Sequence, residues 1–494
     1  MPLRRRPLVL LAALSLLGAV TACTSEAAGD PVGKPASQPA ATARTEAPPP
    51  PRDGLKLTVD NGRQSPGTVI AGVGDAVYNY APAVMVDQGK VRTWWCSQMG
   101  SAPPNGDDIL YSEGPSADGP FTTAHPVFSG SGGSFDAMHT CDPSLVKIGD
   151  TYFMYYTGAS RDNHANGSSV GVATSKDGLS WTRANGGQAI LGSSGDIIRE
   201  NTYGTGQQSA IYLDGWVYLL FTDTTGFAGA TNGAGQYVLR SKDPLFVTGV
   251  ETLSPQGFKP VRKTNESRTR SVVEAFSADW MWIDAASAFA IAHSTDAGTT
   301  ITFWNREFTR HPYDPVVIPG VWKEGPGLVR TPEGHAPIHA GGPCDKVAID
   351  VLRATTTDSG APTNIRHFGI DALGLNGCAT PDEARVLDGF SVPSPERTAD
   401  VVVNGKVVRF ERGSAAAKYA RGVIGWRPKI VDSFQVAARV PAAVPAVLGP
   451  DGLAGLLVGD KLVVIRSLEV AQSNSSEVTV VTREQWDRYE RLMS

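Results

Sequence analysis

"DPSLVKIGDTYFMYYTG", Asp142–Gly158, joins an apolar run to an aromatic-rich run through a polar turn at Gly149-Asp150. That is the pattern of a β-hairpin. The stretch recurs. Ala81–Ser97, "APAVMVDQGKVRTWWCS", and Gln207–Asp223, "QQSAIYLDGWVYLLFTD", align with it without a gap, and their turns fall at Asp87-Gln88-Gly89 and Asp214-Gly215. After a loop of similar length, each is followed by another strand and turn. These are "ILYSEGPSADGPFT" from Ile109, "VGVATSKDGLSWTR" from Val170 and "YVLRSKDPLFVTG" from Tyr237. Apolar anchors follow each of these turns, at Phe121, Trp181 and Phe246.

The unit therefore holds four strands in about 60 residues, the period of a propeller blade. Two weaker copies begin "SADWMWIDAASAFAIAHS" at Ser277 and "EGPGLVRTPEGHAPIHAG" at Glu324. The fold class expected is all-β: a five-bladed β-propeller over 55–382, able to fold without residues 383–494. Composition agrees, with 54 Gly, 35 Pro and 7 Met in 494 residues, which favours turns and short strands over long helices. Residues 383–494 have a different texture and read as a small β-rich C-terminal domain. It carries a hairpin in "ADVVVNGKVVRFERG" with an Asn404-Gly405 turn, a second in "GLLVGDKLVVIRSLEV", and a closing helix in "TREQWDRYERLMS" opened by a Thr482/Gln485 capping box.

The N-terminus reads as a targeting segment, residues 1–22. Arg4, Arg5 and Arg6 precede an apolar core, Leu8–Val20, that is short for a membrane span. "VTAC" then resembles the lipobox of bacterial lipoproteins, which implies lipidation on Cys23 and a protein anchored at the extracytoplasmic face of the cell membrane. Residues 23–54, rich in Pro and Ala, lack the apolar bulk to pack a core and read as a tether. The formal charge of −5 provides no basic face for nucleic acid. Beyond Cys23, four cysteines remain, and in an exported protein they allow disulfides in three pairings. Pairing neighbours along the chain gives Cys96–Cys141 and Cys344–Cys378. No cysteine or histidine cluster has metal-site spacing, so no cofactor or metal is expected.

In a propeller the first strands converge on a central channel, so the residue heading each repeat approaches the axis. The Asp142-Pro143 start, the "GDTYFMYYTG" hairpin and the "ATSKDGLSWTR" edge resemble a blade of the family 43 glycoside hydrolases and their five-bladed relatives. The resemblance spans about residues 75–375. It implies three carboxylates heading the first three blades: a general base, an orienting Asp that modulates pKa, and a general acid Glu. Asp142 takes the second position. Ala81 and Gln207 occupy the first and third, and neither can move a proton in those roles. The missing groups could come from Glu200, Glu274, Glu324 or Asp75, since inversion needs two carboxyl groups about 6.5–9.5 Å apart.

Tyr80, Tyr203, Gln207, Gln208, Trp280 and His335 are the candidates for holding sugar, with Tyr78 and Trp282 beside them. The relatives' habit of placing a His near a central cation brings His335 and His339 into view. The expected function is a monomeric, cell-surface glycoside hydrolase acting on an arabinose- or xylose-containing glycan by an inverting carboxylate pair. Its partners are then an oligosaccharide or polysaccharide and the membrane, through the lipid anchor. The alternatives are a sugar-binding propeller that has lost the chemistry and a protein-interaction propeller of the envelope.

Overall fold

The structure, a computed structural model, describes residues 54–71, 78–98, 107–160, 167–355 and 364–492. The signal segment 1–22, Cys23, the tether up to residue 53 and Asp75 lie outside the described residues. Among the described residues, no helix is long and apolar enough to cross a membrane.

Five antiparallel meanders follow one another. The first runs Asn79–Asp87, Lys90–Gln98, Asp107–Gly114 and His125–Phe128. The second runs His139–Ile148, Thr151–Ala159, Ser169–Ser175 and Thr182–Arg183. The third runs Thr205–Leu213, Trp216–Asp223, Gln236–Ser241 and Glu251–Ser254, with Gly257–Pro260 added at its edge. The fourth runs Ala278–Ile283, Ala288–Thr295, Gly298–Asn305 and Val316–Ile318. The fifth runs Pro326–Arg330, Lys346–Ala354 and Ile365–Leu373, and its outer strand is Thr58–Gln64 from the other end of the chain. Hydrogen bonds join the fifth, first and second meanders into a twelve-stranded sheet, while the third and fourth are separate sheets.

The first strands neighbour one another in cyclic order, and the ring closes where Val329 pairs in parallel with Val84. Side chains alternate between the two faces of a strand, and here both faces are covered. In "WVYLLF", Val217 and Leu219 pack against Val146 and Tyr155 of the second meander. Tyr218 and Leu220 pack against Trp280 and Phe289 of the fourth. That is why these strands read as continuous apolar runs rather than alternating ones. The molecule is all-β with little helix, in a propeller-like arrangement.

The heads of the repeats share a backbone device. Ala81, Asp142 and Gln207 have φ of +46°, +46° and +49°, and Gly325 has +48°. At the first three, the ladder to the next strand slips, between Tyr80 and Ala83, Cys141 and Ser144, and Gly206 and Ser209. A bulge of this kind bends the strand and re-aims the side chain. Left-handed backbone costs a non-glycine residue about 1 kcal/mol, and its recurrence at equivalent positions ties it to the channel mouth. Both disulfides form in the expected pairing, Cys96–Cys141 and Cys344–Cys378.

Beyond the meanders the chain makes two five-stranded sheets of identical strand order. One is Gly422–Val423, Phe390–Pro393, Ala399–Val403, Lys406–Phe410, Val436–Val440; the other is Val478–Val480, Ala446–Leu448, Ala454–Val458, Lys461–Ile465, Glu490–Leu492. Val401 and Leu456, Val408 and Val463, and Phe410 and Ile465 are equivalent pairs, each 55 positions apart, and all six lie in one shared core. The segment is a tandem duplication, which the sequence reading did not separate. The expected closing helix is a single turn, Arg483–Trp486. The Thr482/Gln485 capping box is present, but the chain then leaves to pair Glu490–Leu492 with Lys461–Ile465 while Trp486 is buried beneath it. The first repeat also packs on the meanders, where Phe390, Val402 and Val407 meet Ala285, Cys344 and Cys378.

Because the two repeats share a core, a chain ending at Pro441 strips the partner from Val401, Val408 and Phe410. Limited proteolysis is expected to cut within residues 383–441 of that truncation and to spare the same segment in the full chain. Equal resistance would mean that the first repeat is stable by itself.

Candidate active site

The five heads meet at one mouth. Ala81, Asp142, Gln207, Ser277 and Gly325 line a cavity whose wall includes Arg330. Below it the channel is filled by polar groups. Arg330, fully buried, donates from Nη1 to Ser209 Oγ, Ala210 O and Trp280 O at 3.1, 3.1 and 2.8 Å, and its Nη1 lies 3.1 Å from Asp279 Oδ1.

Asp142 is buried, and its side chain accepts from Tyr203 Oη at 3.2 Å. Burial pushes its pKa above the ordinary carboxylate value. His139 and hydrogen bonds with Thr157 and Tyr203 pull it back, and Asp107 pushes it further up. The backbone below is braced by Gln208, whose Nε2 donates to Asp142 O and, at 3.1 Å, to Tyr155 O. Thr157 Oγ1 donates to Gln208 Oε1 at 3.1 Å and accepts from Gln207 N at 3.0 Å. Gln207 Oε1 is buried at the mouth with no hydrogen-bond partner among the described residues.

Glu324 reaches the same place from the loop before the fifth meander. Burial, then the charges of Asp142 and Asp107, raise its carboxyl from 4.5 to about 7 against the opposing pull of Lys323. It therefore holds its proton to higher pH than an ordinary carboxyl, as a general acid needs. Tyr80 and Tyr203 have pKa values pushed well above 10, first by burial and then by these carboxylates, so both remain neutral hydrogen-bond donors.

A third acid completes the cluster. Asp107 Oδ2 accepts from Tyr80 Oη at 2.9 Å and lies 3.0 Å from His139 Nδ1. Asp107 also lies within 4.8 Å of the sulfurs of Cys96 and Cys141, but these are bonded to each other and offer no thiolate to a metal. Sequence reasoning missed Asp107, His139 and Thr157. It looked for acids at the heads of first strands, whereas Asp107 heads a third strand; the acidic pair Asp107-Asp108 opening an apolar run was the available signal.

The other candidates lie elsewhere. Glu200 is exposed on the loop leading to Tyr203, and Glu274 is exposed ahead of the fourth meander, so neither shares the desolvated cluster. Trp280 is fully buried, stacked on Phe289 at 4.8 Å, with its indole N–H donating to Ser209 O at 3.0 Å. Its faces are closed to sugar, because first strands in this fold are covered on both sides. Trp282 is buried in the same cluster. His335 sits at the opposite end of the channel, with Nδ1 2.8 Å from Asp284 and Nε2 2.9 Å from Tyr212 O, so it cannot reach a ligand held by Asp142.

No protein-family model matches the sequence, and no curated protein matches it. Among solved structures, a family 117 glycoside hydrolase of the marine bacterium Zobellia galactanivorans aligns with TM-score 0.44 and 12% identity over 66% of this chain and 92% of that one. A family 43 β-xylosidase/α-arabinofuranosidase from a compost microbial metagenome aligns with TM-score 0.41 and 13% identity over 69% and 98%. The catalytic domain of a family 62 α-L-arabinofuranosidase of Coprinopsis cinerea gives 0.40 and 11% over 65% and 99%. At such scores these likenesses carry no weight for the chemistry, which rests on the geometry of the mouth.

Proposed function

We propose that the five meanders are the blades of a propeller and that the protein hydrolyses O-glycosidic bonds at its mouth. Glu324 is the general acid. Asp142 is the charged neighbour that keeps Glu324 protonated and orients substrate hydroxyls together with Tyr203. The observation that carries this reading is that Asp142 and Gly325, from separate meanders, line one mouth, and that Glu324, the residue before Gly325, is raised to about 7 by burial and by the charges of Asp142 and Asp107. Gln207 Oε1 supplies an acceptor for a sugar hydroxyl. In keeping with the sequence reading, the substrate is an arabinose- or xylose-containing glycan outside the cell, cleavage proceeds with inversion, and the protein is a monomer held to the membrane through Cys23.

A second reading, a sugar-binding propeller without chemistry, is favoured by Ala81 and Gln207 at two of the three slots that the family resemblance assigns to acids. A nitrophenyl-glycoside panel run beside a glycan array separates the two. Turnover by the wild type is expected. Asp142→Asn, which fits the left-handed backbone as well as Asp does, is expected to lower turnover about 10²- to 10³-fold with an unchanged melting temperature. Array binding without turnover on any glycoside would establish the second reading instead.

A further inference from the structure

The position that heads the first meander holds Ala81, which cannot take a proton from water. Asp107 reaches the same quadrant by another route. It is the first residue of the strand Asp107–Gly114, at the mouth end of the first meander, and Tyr80, the neighbour of Ala81 in the chain, donates to its Oδ2 at 2.9 Å. His139, three residues before Asp142, places Nδ1 3.0 Å from the same oxygen. Thr140 Oγ1 donates to Asp107 O at 3.1 Å, so the residue is held from the first and second meanders at once. Its side chain is 11% exposed, enough to meet water, and its charge is felt at both Asp142 and Glu324. Asp142, which lines the cavity, accepts from Tyr203 and bonds Thr157, and the amide of Gln208 donates to its backbone carbonyl beneath.

We propose that Asp107 is the general base of the hydrolysis, standing in for the carboxylate absent at Ala81, with Tyr80 and His139 as its positioning residues. The assignment rests on the glycosidase reading. In the step, the bond from the anomeric carbon to the glycosidic oxygen breaks, its electron pair leaves with that oxygen, and Glu324 supplies the proton. Water forms the new carbon–oxygen bond from the opposite face and gives its proton to Asp107. The products are a reducing sugar and an alcohol. Exchange with solvent returns the proton from Asp107 and reprotonates Glu324, so no further reactant is consumed.

The test uses the full chain, a glycosyl fluoride whose leaving group needs no acid, and sodium azide as a small anion able to replace a missing carboxylate. Asp107→Ala is expected to lose about 10²- to 10⁴-fold in turnover. Azide should restore at least about tenfold of it, releasing a glycosyl azide of inverted configuration, while Asp142→Ala is not restored. Asp107→Asn, which keeps the shape and fills the space azide would need, should bind the glycan array as the wild type does and stay inactive with or without azide. It serves as the folded reference if the alanine variant does not fold. Wild-type turnover with Asp107→Asn within threefold of it, or azide restoring Asp142→Ala instead, would overturn the assignment to Asp107 alone. A wild type inert on the whole panel would overturn the glycosidase reading and the assignment with it.

Discussion

Glu324→Gln is expected to lower turnover of glycosides with poor leaving groups by about 10²- to 10⁴-fold and, at the same time, to stabilise the protein above neutral pH. The two effects have one cause. Burial and the neighbouring acids raise the carboxyl from 4.5 to about 7 in the folded chain. Between those values the folded state binds more protons than the unfolded one, so stability falls as pH rises through this window, and the full cost is present above the folded value. At about 1.4 kcal/mol per unit the shift is worth about 3 kcal/mol, and partial exposure reduces this to about 1–2 kcal/mol. Gln carries no charge to desolvate. Denaturant melts should therefore show the variant more stable than the wild type at about pH 9 and equal to it at about pH 4. A difference independent of pH would remove Glu324 from the desolvated mouth. In the wild type, turnover should fall above about pH 7 as the acid loses its proton, and in Glu324→Gln that limb should be absent.

What could be read in the sequence depended on where side chains alone decide the structure. The hairpin copies at Ala81, Asp142 and Gln207 were legible because both faces of each strand are buried and the bulge recurs at the same register. The outer strand of the fifth meander was not. Thr58–Gln64, "TVDNGRQ", is exposed along most of its length and carries no apolar pattern; it is held by backbone pairing and by Arg63 reaching Asp350 and Asp371 at 2.9 and 2.7 Å. The 55-residue duplication was hidden because its copies conserve apolar character, as in Phe410 and Ile465, more than identity. At the mouth, Asp142 and Glu324 were legible as candidates because one heads a repeat and the other directly precedes the head of one. Asp107 was missed because the third strand of a meander also starts at the mouth, and Trp280 was misjudged because an aromatic on a first strand is held between meanders before it can meet a ligand.

Arg330→Met is expected to destabilise the protein by about 3–5 kcal/mol, the usual cost of stranding one partner of a buried ion pair. Arg330 and Asp279 are both buried, and together they tie several meanders around the channel. The guanidinium bonds to Ser209 Oγ, Ala210 O and Trp280 O, and approaches Ser144 Oγ at 3.4 Å. Asp279 Oδ2 accepts from Leu328 N at 2.6 Å, and Oδ1 accepts from Trp280 N at 2.9 Å. Met fills much of the space but leaves Asp279 without its counter-charge in the channel, and leaves Ala210 O and Trp280 O without the guanidinium donor. Asp279→Asn added to Arg330→Met removes that stranded charge while keeping an acceptor for one backbone N–H. The double variant is therefore expected to recover part of the loss, so that the two changes together cost less than the sum of each alone. Urea unfolding of the three variants measures it. Strict additivity, or an Arg330→Met cost below about 1 kcal/mol, would mean that solvent reaches the channel and that the apolar contacts between meanders close the ring without this pair.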